Sequence, residues 1–260
     1  MTEATPGPRP AAERRAGGGR RATGTPVLQT GLKMLTVIDA LARAEAGLSV
    51  SGLAERLGWA RAAAHQYLQT AVAAGWAFQD DRSVYRVSLR VADLATRANP
   101  AKELRPMLLP VMHDTVEELG APVSFAVMEQ SSPVIVERVE PARAKFIRRG
   151  YEARVSPRSS ASGQVLLAFS DEVHRAVARE GAVLDDAVYE NVRQRGFALV
   201  HSEWLGDLIT AVAVPVTKGG TCIGALSVIT EQGGLPDDTL ITAMLRASRR
   251  LDDALDDPTA

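Results

Sequence analysis

A single cysteine, Cys222, stands in 260 residues. One thiol excludes an internal disulfide and any cysteine-ligated zinc site; in the apolar stretch 222–230 it reads as a small hydrophobe. Aromatic residues make up only 5% of the chain, so Leu, Val, Ile and Ala must do most of the packing. No apolar run approaches the ~18–20 residues of a membrane span. Gly, Pro and Arg occupy the N-terminus where a signal peptide would place its apolar core, so a cytoplasmic protein without a membrane partner is expected. The formal net charge of −1 gives no global basic signature, but the charge is unevenly sorted. Residues 1–26 carry Arg9, Arg14, Arg15, Arg20 and Arg21 against Glu3 and Glu13, whereas acids gather toward the C-terminus. Catalytic signatures are missing too: no Gly-x-Ser-x-Gly elbow, no His-Glu-x-x-His, no phosphate loop, no dinucleotide fingerprint. No enzyme, metal or cofactor is expected. A hydrolase built on the loop 159–163 would need His113, His174 or His201 beside Ser160 or Ser162, and nothing in the sequence brings them there.

What is present is a helix, a tight turn, a second helix and a short hairpin over residues 48–86. Ser49 is suited to cap a helix N-terminus, Leu53 and Leu57 share one face, and Gly58 permits a sharp exit through positive φ. A second helix follows over residues 60–74, with Ala64, Leu68, Ala71 and Val72 at buried spacing. Its other face carries Arg61, His65, Gln66 and Gln69, which can donate to base edges or phosphates. Two helices crossing at a glycine turn place the second in the DNA major groove. Residues 76–79 and 84–87 form the wing around a polar turn, so Ser49, Ser51, Arg82 and Arg86 are expected to position phosphates.

The flanks read as follows. Residues 1–26 lack hydrophobic period and are expected to be a disordered basic tail. A helix from residue 30 toward Gly47 shows Leu32, Leu35, Ile38 and Leu41 on one stripe. Residues 27–88 thus form the winged helix-turn-helix domain, 89–100 a linker helix ending at Asn99-Pro100, and 101–260 a C-terminal domain. There, a long helix over 101–119 precedes strands at 123–129 and 134–140, a hairpin with one wet face; 145–149 adds a third strand. Helices follow at 162–169, 171–180 and 185–195, then strands at 197–201, 209–217 and 222–230, and a closing helix at 236–255. Strands paired in hairpins with helices between the pairs argue an α+β fold, a mainly antiparallel sheet flanked by helices.

The segment Pro157-Arg158-Ser159-Ser160-Ala161-Ser162-Gly163-Gln164-Val165-Leu166-Leu167-Ala168 resembles the Pro-x-x-x-(Ser/Ala/Thr)-x-Gly-Lys-x-x-Leu-Ala motif of the IclR family of bacterial transcription regulators. Gly196-Phe197-Ala198, followed by Ala211 to Val216, is similar to that family's Gly-Tyr-Ala…Ala-Ala-Pro-Val pair, and Gly224 to Val228 to its Ala-Leu-Ser-Val strand. The resemblance spans residues 27–252. It implies a winged helix-turn-helix, a linker helix and a GAF-like effector domain that binds a small organic molecule. It also implies homodimers or dimers of dimers (homotetramers) on palindromic double-stranded operators. Two departures bear on DNA. Gln66 stands where the family commonly has Arg, and Ala62 and Ala63 where it has Ser or Thr; Gln can read adenine, and alanine can pack on a thymine methyl.

Small residues at 159–163 open a helix whose N-terminus suits an anion, and the resemblance makes this segment (Ser160, Ala161, Ser162, Gly163) line the effector pocket. It also implies Ala211, Ser227 and Ile229, with Leu208 and Thr210, from the last two strands. Phe125, Val127, Phe146 and Trp204 are candidate apolar walls, and Arg148 and Arg149 candidate partners for an acid. The expected function is a ligand-responsive repressor of a catabolic operon, its effector a carboxylate or amide with an apolar or aromatic body. A regulator driven by a partner protein is the alternative.

Overall fold

The computed structural model describes residues 26–142, 154–178, 184–204 and 207–257. The expected basic tail, but for its last residue, and the expected strand at 145–149 lie outside them, as do Phe146, Arg148 and Arg149. The chain divides into two compact units, one ending at Asp93 and the other starting at Leu94. The division falls within one helix, not at residue 88. No helix among the described residues is long and apolar enough to cross a membrane.

The first unit comprises α1 (Gln29–Ala42), α2 (Val50–Leu57), α3 (Arg61–Ala73) and the antiparallel hairpin β1 (Ala77–Gln79) and β2 (Tyr85–Val87). The Ser49 hydroxyl caps α2 by accepting from Gly52 N–H at 3.1 Å. Gly58 ends α2 at φ 66°, where a Cβ would strain the backbone. Leu53, Ala64, Leu68, Ala71 and Tyr85 close the core with Val37 and Leu41. The expected stripe on α1 holds in its second half and fails in its first. Leu41 is buried and Ile38 packs on the core, joined by Val37 and Ala40, whereas Leu32 and Leu35 are exposed. An i, i+3 series drifts around a helix of 3.6 residues per turn, so its early members leave the buried face.

The helix α4 (Arg90–Ala98) follows, with no buried residue. In the second unit, α5 (Arg105–Leu119) begins four residues later than expected, because Leu104 precedes a first turn holding Pro106, a residue suited to helix starts. Strands β3 (Val123–Glu129), β4 (Ser132–Val139), β5 (Ala198–Trp204), β6 (Asp207–Lys218) and β7 (Thr221–Glu231) form one sheet in the order β4-β3-β7-β6-β5. Every described pairing in it is antiparallel. Helices α6 (Ala161–Ala168), α7 (Asp171–Ala178) and α8 (Asp186–Arg195) lie between the strand pairs in sequence, and α9 (Asp237–Asp256) closes the chain.

Helices lie on both faces of the sheet, and the residues of strands β3 and β4 are buried or half-buried except Glu129, so that hairpin lacks the expected wet face. On one side α5 and α9 pack on large side chains: Val123, Phe125, Val212, Val214, Leu226 and Val228. On the other, α6, α7 and α8 pack on Ala126, Ala198, Ala211, Ala213 and Ala225. Side chains of successive residues point to opposite faces, so this asymmetry is written at alternate positions. The alanine side leaves room, and a cavity opens there.

Candidate functional site

The exposed face of α3 presents Arg61, Ala62, His65, Gln66 and Gln69 to solvent, with Ala63 half-buried. These positions follow a helical period, so they form one stripe. Its far end is held: Gln69 Nε2 donates to the Tyr85 hydroxyl at 2.9 Å and lies 3.5 Å from His65 Nε2. Ser49 and Ser51 are exposed, Ser49 using an acceptor lone pair for its cap. Arg82 stands exposed in the hairpin turn.

Arg86 is different. Its Nε faces Asp80 at 3.5 Å and its Nη1 donates to the Glu45 carbonyl at 3.1 Å. Asp80 in turn accepts from the backbone N–H of Val84 at 2.9 Å and of Arg82 at 3.0 Å. These bonds, Val84 first, hold the Asp80 carboxyl below its ordinary range, and Arg86 adds to them. Arg86 therefore braces the hairpin turn, and its guanidinium is engaged within its own domain.

The cavity on the alanine side of the sheet has a volume of about 380 Å³. Ser159, Ser160, Ala161 and Ser162 contribute from the start of α6, and Ala211, Ser227 and Ile229 from β6 and β7. Ile135, Val155, Val200 and Ile209 complete its apolar wall, while Ser156, Ser202, Glu203, Arg138 and Arg154 add polar groups. Ser160 caps α6 by accepting from Gly163 N–H at 3.0 Å. Gly163 is buried behind the wall, where a Cβ would meet the Pro157 backbone, its Cα at 2.6 Å. Close approach of these two backbones sets the cavity's edge.

Four of the residues expected to line the effector pocket lie on the face of the sheet away from this cavity. Phe125 and Val127 pack into the core under α5 and α9; the Phe125 ring occupies the space that a side chain on Gly224 would need. Leu208 is exposed, and Thr210, alternating with Ile209 and Ala211, is buried with its hydroxyl 3.1 Å from His201 Nδ1. His201 reaches Asp237 of α9 at 3.3 Å, which fixes that side as the helix α9 side. The period of two that puts Ala211 and Ser227 in the cavity excludes these four. Trp204 ends β5, and its side chain is outside the described residues.

Sequence reading missed Arg138. A β-bulge between Phe125 and Ala126 makes Phe125 pair with Glu137 and Ala126 with Ile135, leaving Val136 as the extra residue. The bulge shifts the alternation by one. Glu137 thereby meets Arg105 of α5 at 2.8 Å, and Arg138 lines the cavity. No sequence signal marks that bulge. Cys222 is half-buried, its thiol donating to the Gly224 carbonyl at 3.3 Å, and burial raises its pKa.

The fold has many solved counterparts. The IclR homolog of Microbacterium hydrocarbonoxydans complexed with 4-hydroxybenzoate superposes with a TM-score of 0.68 at 22% identity, covering 86% of this chain and 98% of that one. The Thermotoga maritima IclR gives 0.68 at 17%, covering 87% and 98%. The glycerol operon regulatory protein of Streptomyces coelicolor is 30% identical over 191 residues, 68% of this chain and 74% of its own length. Its Streptomyces griseus counterpart is 28% identical over 225 residues, 78% and 87%. Two family models match: the IclR helix-turn-helix domain over residues 32–81, and the bacterial transcriptional regulator IclR C-terminal domain over residues 97–252. The chain belongs to the IclR family of bacterial transcriptional regulators.

Proposed function

We propose that this regulator represses a catabolic operon and releases it when a small organic molecule enters the cavity of the second unit. The family's members bind DNA to regulate transcription and are not enzymes. The observation that carries the effector half is the 380 Å³ cavity, roofed by the serine-rich start of α6. Its mixture of apolar walls and hydroxyls fits a carboxylate or amide with an apolar body. An IclR homolog bound to 4-hydroxybenzoate supports a carboxylate effector, and two relatives that are glycerol operon regulatory proteins support a catabolic operon as the target.

On DNA, α3 enters the major groove. Gln66 and His65 read bases, Arg61, Ser49, Ser51 and Arg82 hold phosphates, and Gln69 is set by Tyr85. Two copies bind a palindrome with their α3 helices one helical turn apart or a multiple of it. The exposed apolar residues before and in the first half of α1, with Leu28 at 80% and Leu35 at 67% exposure, support self-association. The effector acts through its unequal affinity for the two arrangements of the reading heads.

The test is a genome-wide binding map, followed by operator gel shifts with the substrates of the neighbouring genes. Release by one such compound, on purified protein, bears the reading out. Unchanged operator affinity with every compound, but release on adding a cell protein, defeats it.

A further inference from the structure

Resting on the effector reading of that cavity, we propose that its ligand is an anion and that Arg138 holds the negatively charged head. Three charged side chains line the cavity among the described residues: Arg138, Arg154 and Glu203. Arg154 is more than half exposed and pairs with Glu129, and Glu203 is exposed. Arg138 is neither. Its side chain keeps only 11% exposure, although a long cationic side chain ordinarily reaches for water.

What fixes it is a row across three strands. In register, Ser124 of β3 faces Arg138 of β4 on one side and Ser227 of β7 on the other. Arg138 Nη1 donates to Ser124 Oγ at 3.2 Å, and Nε donates to Glu140 Oε1 at 3.0 Å. Glu140 is nearly half exposed, so the ion pair spans from water to the cavity. Apolar neighbours such as Ile135 and Ile229 lower the local dielectric, which strengthens attraction between a guanidinium and an entering anion. A planar guanidinium oriented by Ser124 and Glu140, lining the same cavity as the Ser227 hydroxyl, matches a carboxylate or phosphate far better than a neutral head. Carboxylate and amide share size and shape, so charge separates them. The cavity thereby selects acids over their amides.

The test uses the full chain and isothermal titration with benzoate, phenyl phosphate and benzamide, which share a ring and differ in the head, and with glycerate and glycerol. At least one anion is expected to bind about ten- to a hundred-fold tighter than its neutral counterpart, and benzoate against phenyl phosphate says which anion fits. Arg138→Met should abolish that preference without weakening the neutral compound, and Arg138→Lys should restore part of it. The wild-type comparison stands even if a variant fails to fold. Neutral compounds binding as tightly as their anions, or anion affinity unchanged in Arg138→Met, would overturn the role of Arg138 while leaving the cavity as the effector site. No binding by either class overturns both readings.

Discussion

Gln69 on α3 donates to the hydroxyl of Tyr85 on β2, 2.9 Å away. Tyr85 is almost wholly buried, and its backbone exchanges two hydrogen bonds with Leu48, at 2.8 and 3.0 Å. One tyrosine therefore ties together the exposed face of α3, the hairpin and the chain entering α2. A DNA-reading surface works best when its side chains are set before contact, because ordering them at the moment of binding costs affinity. Arg86 adds a second tie, from the hairpin turn to Glu45.

Tyr85→Phe isolates the first tie. It removes one hydrogen bond and leaves an exposed Gln69 that water can satisfy, so the stability loss should be about 0.5–1.5 kcal/mol. The ring still fills its core site. Operator binding should lose base preference at the position nearest Gln69. Thermal unfolding and competition gel shifts measure the two effects; undiminished base preference would mean that Gln69 needs no support.

The arginines divide by what they touch. Arg61→Ala and Arg82→Ala should each lower the salt dependence of operator binding by about one unit of slope. Arg86→Ala should leave that slope unchanged and lower the stability of the first unit, since Arg86 is engaged with Asp80 and Glu45. Gln66→Ala should relax base preference without altering the slope. A reduced slope for Arg86→Ala would return that residue to the phosphate-binding set.

The helix-turn-helix was legible because local chemistry decides it. Ser49 caps, Gly58 turns, and Leu53 and Leu68 fall at the right spacing. Phase was harder to read. On α1 the i, i+3 series from Leu32 drifts around the helix, so only its later members, Ile38 and Leu41, share the buried face with Val37. In the sheet, helices cover both sides, so β6 and β7 are nearly continuous apolar runs with no polar alternation to set which residues face the cavity. Phe125 and Val127 are apolar, and Leu208 and Thr210 follow from the family resemblance, but alternation places all four on the far face. Arg138 lies in a strand with no sequence mark of its phase; only the bulge at Val136 turns it inward.

Gly163 sets two effects against each other. Alanine in a helix is ordinarily favoured over glycine by roughly 0.5–1 kcal/mol. Here the added methyl would press on the backbone of Pro157, which cannot rotate away as a side chain can. Overpacking of this kind costs about 1–3 kcal/mol, so Gly163→Ala should be destabilising on balance. It should also push residues 157–160 outward and weaken effector binding, measurable by denaturant unfolding and by titration. A variant as stable as the parent would show that the loop yields freely.

Asp252 on α9 gives a pH-dependent outcome. Its carboxylate accepts from Thr217 N–H at 2.7 Å, yet its pKa lies above the ordinary 3.8, burial being the largest cause and Asp256 and Asp253 adding repulsion. A carboxyl whose pKa rises on folding is penalised once ionised. Below about pH 3.8 both states carry the proton and the penalty vanishes; it grows as pH rises from there to the folded value and is constant above it. Asn keeps the acceptor for Thr217 and removes the charge. Asp252→Asn should therefore gain stability over the parent near neutral pH and lose that gain under strongly acidic conditions. Denaturant unfolding of both proteins across pH 3–7 reads the difference, and a gap that widens toward acid would reverse the assigned sign.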